Sequence, residues 1–89
     1  MIRRETRIIN RLGLHARAAA KLVRLANEFH SDICVLRAGQ SANAKTIMEV
    51  LMLGAALNDK LAVETEGDDE ESAADSLIRL IESRFEELE

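Results

Sequence analysis

The sequence predicts an α+β fold in which three helices cover one face of a four-stranded, mainly antiparallel sheet. The chain has 89 residues, which suits one small hydrophobic core. Strand-like and helix-like segments follow one another in the order strand, helix, strand, strand, helix, strand, helix. In each segment the apolar residues favour one side, which is typical of elements packed on one face only. We therefore expect residues 1–89 to form one open-faced sandwich.

The first third of the chain is predicted to form a strand, a loop and a helix. Residues 2–9 suit a strand, although Arg4 falls on the face that carries the apolar side chains. Residues 10–14 suit a loop, in which Gly13 permits an unusual backbone turn. A helix is predicted over residues 16–28. Its core-facing side chains recur at helical spacing: Ala19, Leu22, Val23, Ala26 and Phe29.

A hairpin and a second helix are predicted next. Residues 32–37 are rich in strand formers, residues 38–39 indicate a turn, and residues 40–43 would return as a strand. The spacing of Thr46 and Glu49 is typical of a capping box, in which Thr46 caps a helix and Glu49 reaches back. This second helix is expected to extend to about residue 54.

The last third of the chain predicts a strand and a long helix. Residues 60–66 alternate as in a half-buried strand, and residues 67–69 break the chain. Acidic residues 68–70 suit the positive start of a helix. One apolar stripe runs along that helix: Ala74, Leu77, Ile78, Ile81, Phe85 and Leu88.

The charge is unevenly distributed. The formal net charge is -4, yet the first 24 residues carry seven basic side chains and only one acidic one, Glu5, while the tail is acidic. A basic face attracts nucleic acid, an acidic protein or phosphate. Nucleic acid is the weakest of the three, because aromatic residues make up only 2% of the chain and none are interleaved with the basic residues.

Cysteine content and hydropathy predict a soluble protein of the cytoplasm. The single cysteine, Cys34, has no partner for an internal disulfide, which fits a reducing compartment. No run is long and apolar enough for a membrane span, and the first residues do not resemble a signal peptide.

One short segment indicates chemistry. His15 stands where a loop becomes a helix, with Arg17 two residues later. The first amides of a helix have no partner inside the helix, and the helix dipole adds positive charge at that end. Arg17 adds a full charge that can hold two phosphate oxygens. The same positive field disfavours a charged imidazole, so we expect a neutral, nucleophilic His15 that can accept and release a phosphoryl group.

Plainer interpretations of these residues compete with that one. A lone histidine at a helix start is most often a cap or a surface residue. A metal site has less support, because His30 is the only other histidine and neither it nor Cys34 shows ligand spacing. No nucleophilic triad or glycine-rich phosphate loop is present in the sequence.

The segment NRLGLHARAA at residues 10–19 resembles the active-site signature of the HPr family, the histidine-containing phosphocarriers of the bacterial phosphotransferase system. Residues 22–33 resemble the rest of that family's first helix and its second strand, and residues 39–48 its second signature. Residues 67–77 resemble the entry to its last helix. The resemblance covers about residues 7–81, and the family's open-faced sandwich agrees with the element order predicted above.

The resemblance implies roles for particular residues. His15 would accept a phosphoryl group on Nδ1 from enzyme I and pass it to an enzyme IIA-type acceptor, while Arg17 steadies the phosphate. The partner surface would combine the first and second helices through Ala16, Arg17, Ala20, Arg24, Ile47, Met48 and Leu51. Some apolar residues of the second helix must pack in the core instead, and apart from the resemblance we expect Val50 and Leu53 to be the buried ones. The carrier would be monomeric, need no cofactor or metal, and not be an enzyme, because it is consumed and regenerated.

The sequence departs from the family pattern at two positions. Ala18 replaces the usual proline, which would pre-set the first helical turn; alanine still permits a helix, so we expect a modest effect on His15 geometry. Thr46 replaces the serine of members that HPr kinase regulates. Regulatory phosphorylation of Thr46 and a plain helix cap are both open interpretations.

A regulatory interaction module is the alternative to a carrier. It would keep the fold and the docking surface but act by binding a kinase, a transcription factor or an enzyme. Retention of both His15 and Arg17 argues for phosphoryl transfer.

Overall fold

The element order predicted from the sequence is the order found in the computed structural model, which describes residues 1–89. The strands are β1 (Ile2–Arg7), β2 (Asp32–Arg37), β3 (Gln40–Asn43) and β4 (Lys60–Glu66). The helices are α1 (Ala16–Ala26), α2 (Ile47–Met52) and α3 (Glu70–Glu82), and a short 3-10 turn (Arg84–Glu86) follows α3. The predicted bounds of β2, β3 and β4 are confirmed.

The four strands form one antiparallel sheet in the order β1-β4-β2-β3. Val63 at the centre of β4 lies opposite Arg4 on one side and Val35 on the other. Because side chains alternate across a strand, one face of the sheet carries the buried residues Ile33, Val35, Leu61, Val63 and Thr65. The three helices cover that face, so the predicted open-faced sandwich is confirmed.

The hydrophobic core is built almost entirely from aliphatic side chains, with Phe85 as its only aromatic member. In α1 the predicted core residues Ala19, Leu22 and Ala26 are fully buried. Arg4 lies on the inward face of β1, as the pattern predicted, and pairs with Asp75 of α3. None of the helices combines the length and the apolar character that crossing a bilayer requires.

Three elements are shorter than predicted. β1 ends at Arg7 and α1 at Ala26, each two residues early. α2 ends at Met52, where the amides of Leu53 and Gly54 donate to carbonyls three residues back and Gly54 takes a φ of 63°. Such tight bonds and a left-handed residue close a helix.

The predicted capping box at α2 is wrong. Thr46 occupies the N-cap position, but its side chain makes no capping hydrogen bond. Glu49 Oε1 accepts instead from the amide of Asn43 at 3.0 Å. The turn after β3 brings that amide to the carboxylate, so Glu49 closes the turn rather than reaching back to Thr46.

The predicted apolar stripe of α3 is also wrong at its end. The helix stops at Glu82, and Arg84, Phe85 and Glu86 adopt φ values of 60°, 53° and 64°. Phe85 is fully buried, but from this left-handed turn and not from a helix, while Leu88 is 99% exposed. The reversal directs residues 87–89 back toward the loop that precedes α1.

Candidate functional site

The loop before α1 is held against the segment that follows α2. Gly13 has a φ of 66°, and a Cβ there would lie 2.5 Å from the carbonyl oxygen of Ala55. The next amide, that of Leu14, donates to the same oxygen at 2.9 Å. Only glycine combines this backbone conformation with this close approach. The expectation that Gly13 shapes the turn is confirmed.

His15 is the N-cap residue of α1. Its backbone is extended, with φ -73° and ψ 179°, and its Nδ1 accepts from the amide of Arg17 at 3.3 Å. The first bond of the helix runs from the Ala19 amide to the His15 carbonyl at 2.8 Å, so the amides of residues 16–18 have no carbonyl partner within α1. The imidazole is 26% exposed and therefore lies at the surface of the protein, not within the core.

Arg17 is exposed in the first turn of α1, two residues after this cap. Its guanidinium forms no salt bridge within the chain, although Arg3, Arg4, Arg11 and Arg37 all do. An unpaired guanidinium at a helix N-terminus adds to the positive field of the free amides. The start of α1 thus presents an imidazole nitrogen and donors suited to an anion.

Glu87, which the sequence reasoning did not single out, contacts the other side of the His15 ring. Its Oε2 pairs with His15 Nε2, and its Oε1 accepts from Asn10 Nδ2 at 3.0 Å. Burial raises the pKa of the Glu87 carboxyl, but the hydrogen bonds from His15 and Asn10 and the charge of Lys21 outweigh burial and leave the pKa below its ordinary value. The carboxylate is therefore the stable form near neutral pH.

No local signal in the sequence indicated Glu87. It stands in an acidic tail whose apolar residues continue the helical spacing of α3, and it lies 72 positions from His15. The only clue was Phe85, an apolar residue two positions earlier that requires burial.

The residues expected to form a partner surface lie on α1 and α2, which pack side by side. Ile47 and Met48 are 39% and 62% exposed. Ala16 and Arg24 are also exposed, while Ala20 and Leu51 are partly buried. Val50 and Leu53 are buried, as predicted for the core side of α2.

Three further residues considered in the sequence are placed as follows. Thr46 is exposed at the start of α2. His30 lies beside Asp68 and Asp69, but Asp69 already accepts from the amides of His30 and Ser31 and so closes that turn. Cys34 is half-buried in β2, where burial and nearby carboxylates raise the pKa of its thiol. A raised pKa lowers the fraction of thiolate, which is the reactive form of cysteine.

Comparisons with known proteins agree with one another. A family model described as the PTS HPr component phosphorylation site matches residues 2–83. The phosphocarrier protein HPr of Cupriavidus necator is 49% identical over 98% of both chains. A crystal structure of HPr-C-His from Thermoanaerobacter tengcongensis superposes with a TM-score of 0.94 at 42% identity, again over 98% of both chains. An HPr dimer from the same organism matches with a TM-score of 0.78 over 92% of this chain and 94% of that one, at 44% identity.

Proposed function

The chain belongs to the HPr family of phosphotransferase-system phosphocarriers, and from this premise we propose that His15 Nδ1 accepts a phosphoryl group from enzyme I and passes it to an enzyme IIA-type acceptor. The observation that carries the proposal is the position of Nδ1, which accepts from the amide of Arg17 at 3.3 Å at the N-terminus of α1. A nucleophilic nitrogen and donors for the incoming phosphate are thus in one place.

The residues around Nδ1 support each stage of the transfer. The lone pair of Nδ1 attacks phosphorus, and the amides of Ala16 and Ala18 can donate to the phosphoryl oxygens. The Arg17 amide, which donates to Nδ1 before transfer, becomes available to them once Nδ1 is bonded to phosphorus. Arg17 lies on the same turn and supplies a full positive charge for the dianion. The chain leaves the exchange as a phosphoprotein and returns unmodified from the next, so it acts as a carrier with no cofactor of its own.

The docking surface would suit a transient complex. Ile47 and Met48 are exposed apolar residues of α2, and Arg17 and Arg24 are exposed basic residues of α1, the helix that packs against α2. Such a combination favours acidic partners, because charge complementarity raises the association rate without demanding tight binding. We expect the carrier to act as a monomer in the cytoplasm.

Phosphorylation with phosphoenolpyruvate and enzyme I tests the proposal. We expect the intact protein to gain the mass of one phosphoryl group, and the label to be lost in acid. Phosphorus NMR should place it on Nδ1 of a histidine. A label that survives acid, resides on Nε2, or never forms would contradict the proposal.

The alternative, a regulatory module that acts by binding alone, predicts partners that are retained when His15 is replaced. The amides at the start of α1 that lack a carbonyl partner and the unpaired Arg17 guanidinium favour transfer. A surface that acts only by binding does not require a nucleophile at a helix N-terminus. Pull-down with wild-type and His15→Ala protein separates the two functions.

We also propose that Thr46 is a site of regulatory phosphorylation. Its exposed hydroxyl makes no capping bond, which leaves it accessible to a kinase. We expect HPr kinase and ATP to produce one phosphothreonine in the wild-type chain and none in Thr46→Val. Since no cap is lost, the variant should keep its stability within about 0.5 kcal/mol. Wild-type protein that stays unmodified after incubation with HPr kinase and ATP would contradict this proposal.

A further inference from the structure

We propose that Glu87 is a positioning residue for His15. Its carboxylate accepts a hydrogen bond from the Nε2–H of the imidazole. This bond fixes which nitrogen carries the proton and holds Nδ1 at the N-terminus of α1. This inference rests on the proposed function, since it concerns the nitrogen that receives the phosphoryl group.

The two ring nitrogens have opposite roles in the hydrogen-bond network. Nδ1 accepts from the Arg17 amide at 3.3 Å, which requires a lone pair on that nitrogen. Nε2 faces Glu87 Oε2, and a carboxylate can only accept, so Nε2 carries the hydrogen. Both contacts therefore select the same neutral form, the one in which Nδ1 is unprotonated and carries the lone pair that attacks.

Glu87 is itself held by a second buried group. Asn10 is fully buried, and its Nδ2 donates both to Glu87 Oε1 at 3.0 Å and to the carbonyl of Gly13 at 2.9 Å. A single amide thus ties the carboxylate to the loop that leads into His15. The arrangement resembles the orientation of catalytic or metal-bound histidines by a carboxylate that is fixed in turn.

The segment that carries Glu87 is anchored on both sides of it. Phe85 is fully buried, and Lys21 Nζ donates to its carbonyl at 2.8 Å. Beyond Glu87, the amide of Arg11 donates to the carbonyl of Glu89 at 2.5 Å. The left-handed backbone of residues 84–86 is unfavourable for non-glycine residues and persists only where surrounding contacts hold it. Glu87 consequently has a defined position at the ring.

The contact between Glu87 and His15 would act during the transfer step itself. The Nδ1 lone pair forms the N–P bond, while the bond from phosphorus to the phosphorylated donor protein breaks and leaves its electron pair on the donor. Nε2 keeps its proton, so the ring becomes cationic as the bond forms. The Glu87 carboxylate stabilises that charge, and the reverse sequence occurs when the phosphoryl group leaves.

Glu87→Ala, with Glu86→Ala as the matched control, tests the contact directly. Glu86 is the neighbouring residue, its side chain is 72% exposed, and its carboxylate pairs with Lys21 at 3.7 Å rather than with His15. In ¹H–¹⁵N NMR we expect the His15 Hε2 proton to be visible in the wild type and in Glu86→Ala. It should disappear by exchange with water in Glu87→Ala. This measurement needs no partner protein.

The transfer rate gives a second measurement. With enzyme I and phosphoenolpyruvate we expect Glu87→Ala to lower kcat for carrier phosphorylation about 10–100-fold, the size typical of lost orienting groups. KM for the carrier should stay near its wild-type value, because Glu87 lies outside the docking surface. Glu87→Gln retains an acceptor oxygen without the charge, so it should keep the Hε2 signal and lose only part of the rate.

Three results would overturn the assignment. One is an Hε2 signal unchanged in Glu87→Ala, and another is a wild-type kcat in that variant. A faster rate would identify the tail as a cover that hinders access to His15. If the wild type itself takes up no phosphate, the proposed function fails, whereas the Hε2 signal still reports whether the contact exists.

Discussion

A His15→Ala variant will take up no detectable acid-labile phosphate under conditions that label the wild-type chain completely. The substitution removes the nitrogen proposed to accept the phosphoryl group, and no other imidazole lies at a helix start in this protein. It also removes the side-chain cap of α1, which costs about 1 kcal/mol of stability. The measurement is intact mass after incubation with enzyme I and phosphoenolpyruvate.

His15→Asn provides the matched control, because asparagine is a good N-cap but not a phosphoryl acceptor. We expect it to remain unlabelled and to unfold close to the wild-type midpoint, which separates loss of chemistry from loss of the cap. His30→Ala should label as the wild type does. Equal labelling of His15→Ala and the wild type would remove His15 from the mechanism.

Phe85→Ala will destabilise the protein by about 3–5 kcal/mol, a large share of the roughly 5–15 kcal/mol that holds a domain of this kind folded. Phe85 is fully buried and is the only aromatic residue in the core. Its side chain contributes the apolar contacts that hold residues 84–86 in a left-handed turn. Urea unfolding, followed by circular dichroism, measures the change in the free energy of unfolding.

Leu88→Ala is the control for this substitution, since Leu88 is 99% exposed three residues further on. We expect its stability to stay within about 0.5 kcal/mol of the wild type. Phe85→Ala should also weaken the His15 Hε2 signal, because the anchor of the Glu87 segment is gone. Equal unfolding midpoints for Phe85→Ala and Leu88→Ala would show that the tail is not part of the folded core.

Much of the fold was predictable because its signals are local. The bounds of β2 and β4 followed from residue type and alternation, and the turn between β2 and β3 followed from Ala38-Gly39, whose φ values are 50° and 83°. Gly13 indicated the loop, and the placement of His15 and Arg17 at a helix start was correct. Each of these features depends on a few neighbouring residues.

The two wrong predictions, the capping box of α2 and the end of the apolar stripe of α3, both concern residues whose structural partners lie beyond their immediate neighbours. Thr46 and Glu49 have the spacing of a capping box, but the amide of Asn43 at the end of β3 takes the carboxylate. Leu88 has the sequence spacing that would continue the apolar stripe of α3, yet the helix ends at Glu82. Spacing along the chain shows which interactions two residues could make. It does not show which partner lies nearer once the turns have formed.

By itself, the sequence determined the sheet-and-helix order and the imidazole at the start of α1, since both follow from short-range patterns. Only the tertiary structure decided what lies on the far side of that imidazole. Glu87 reaches His15 across 72 positions because a buried phenylalanine turns the chain back, and Asn10 then holds the carboxylate in place. A left-handed turn of non-glycine residues has no local signature, because its stability comes from the distant core that Phe85 fills.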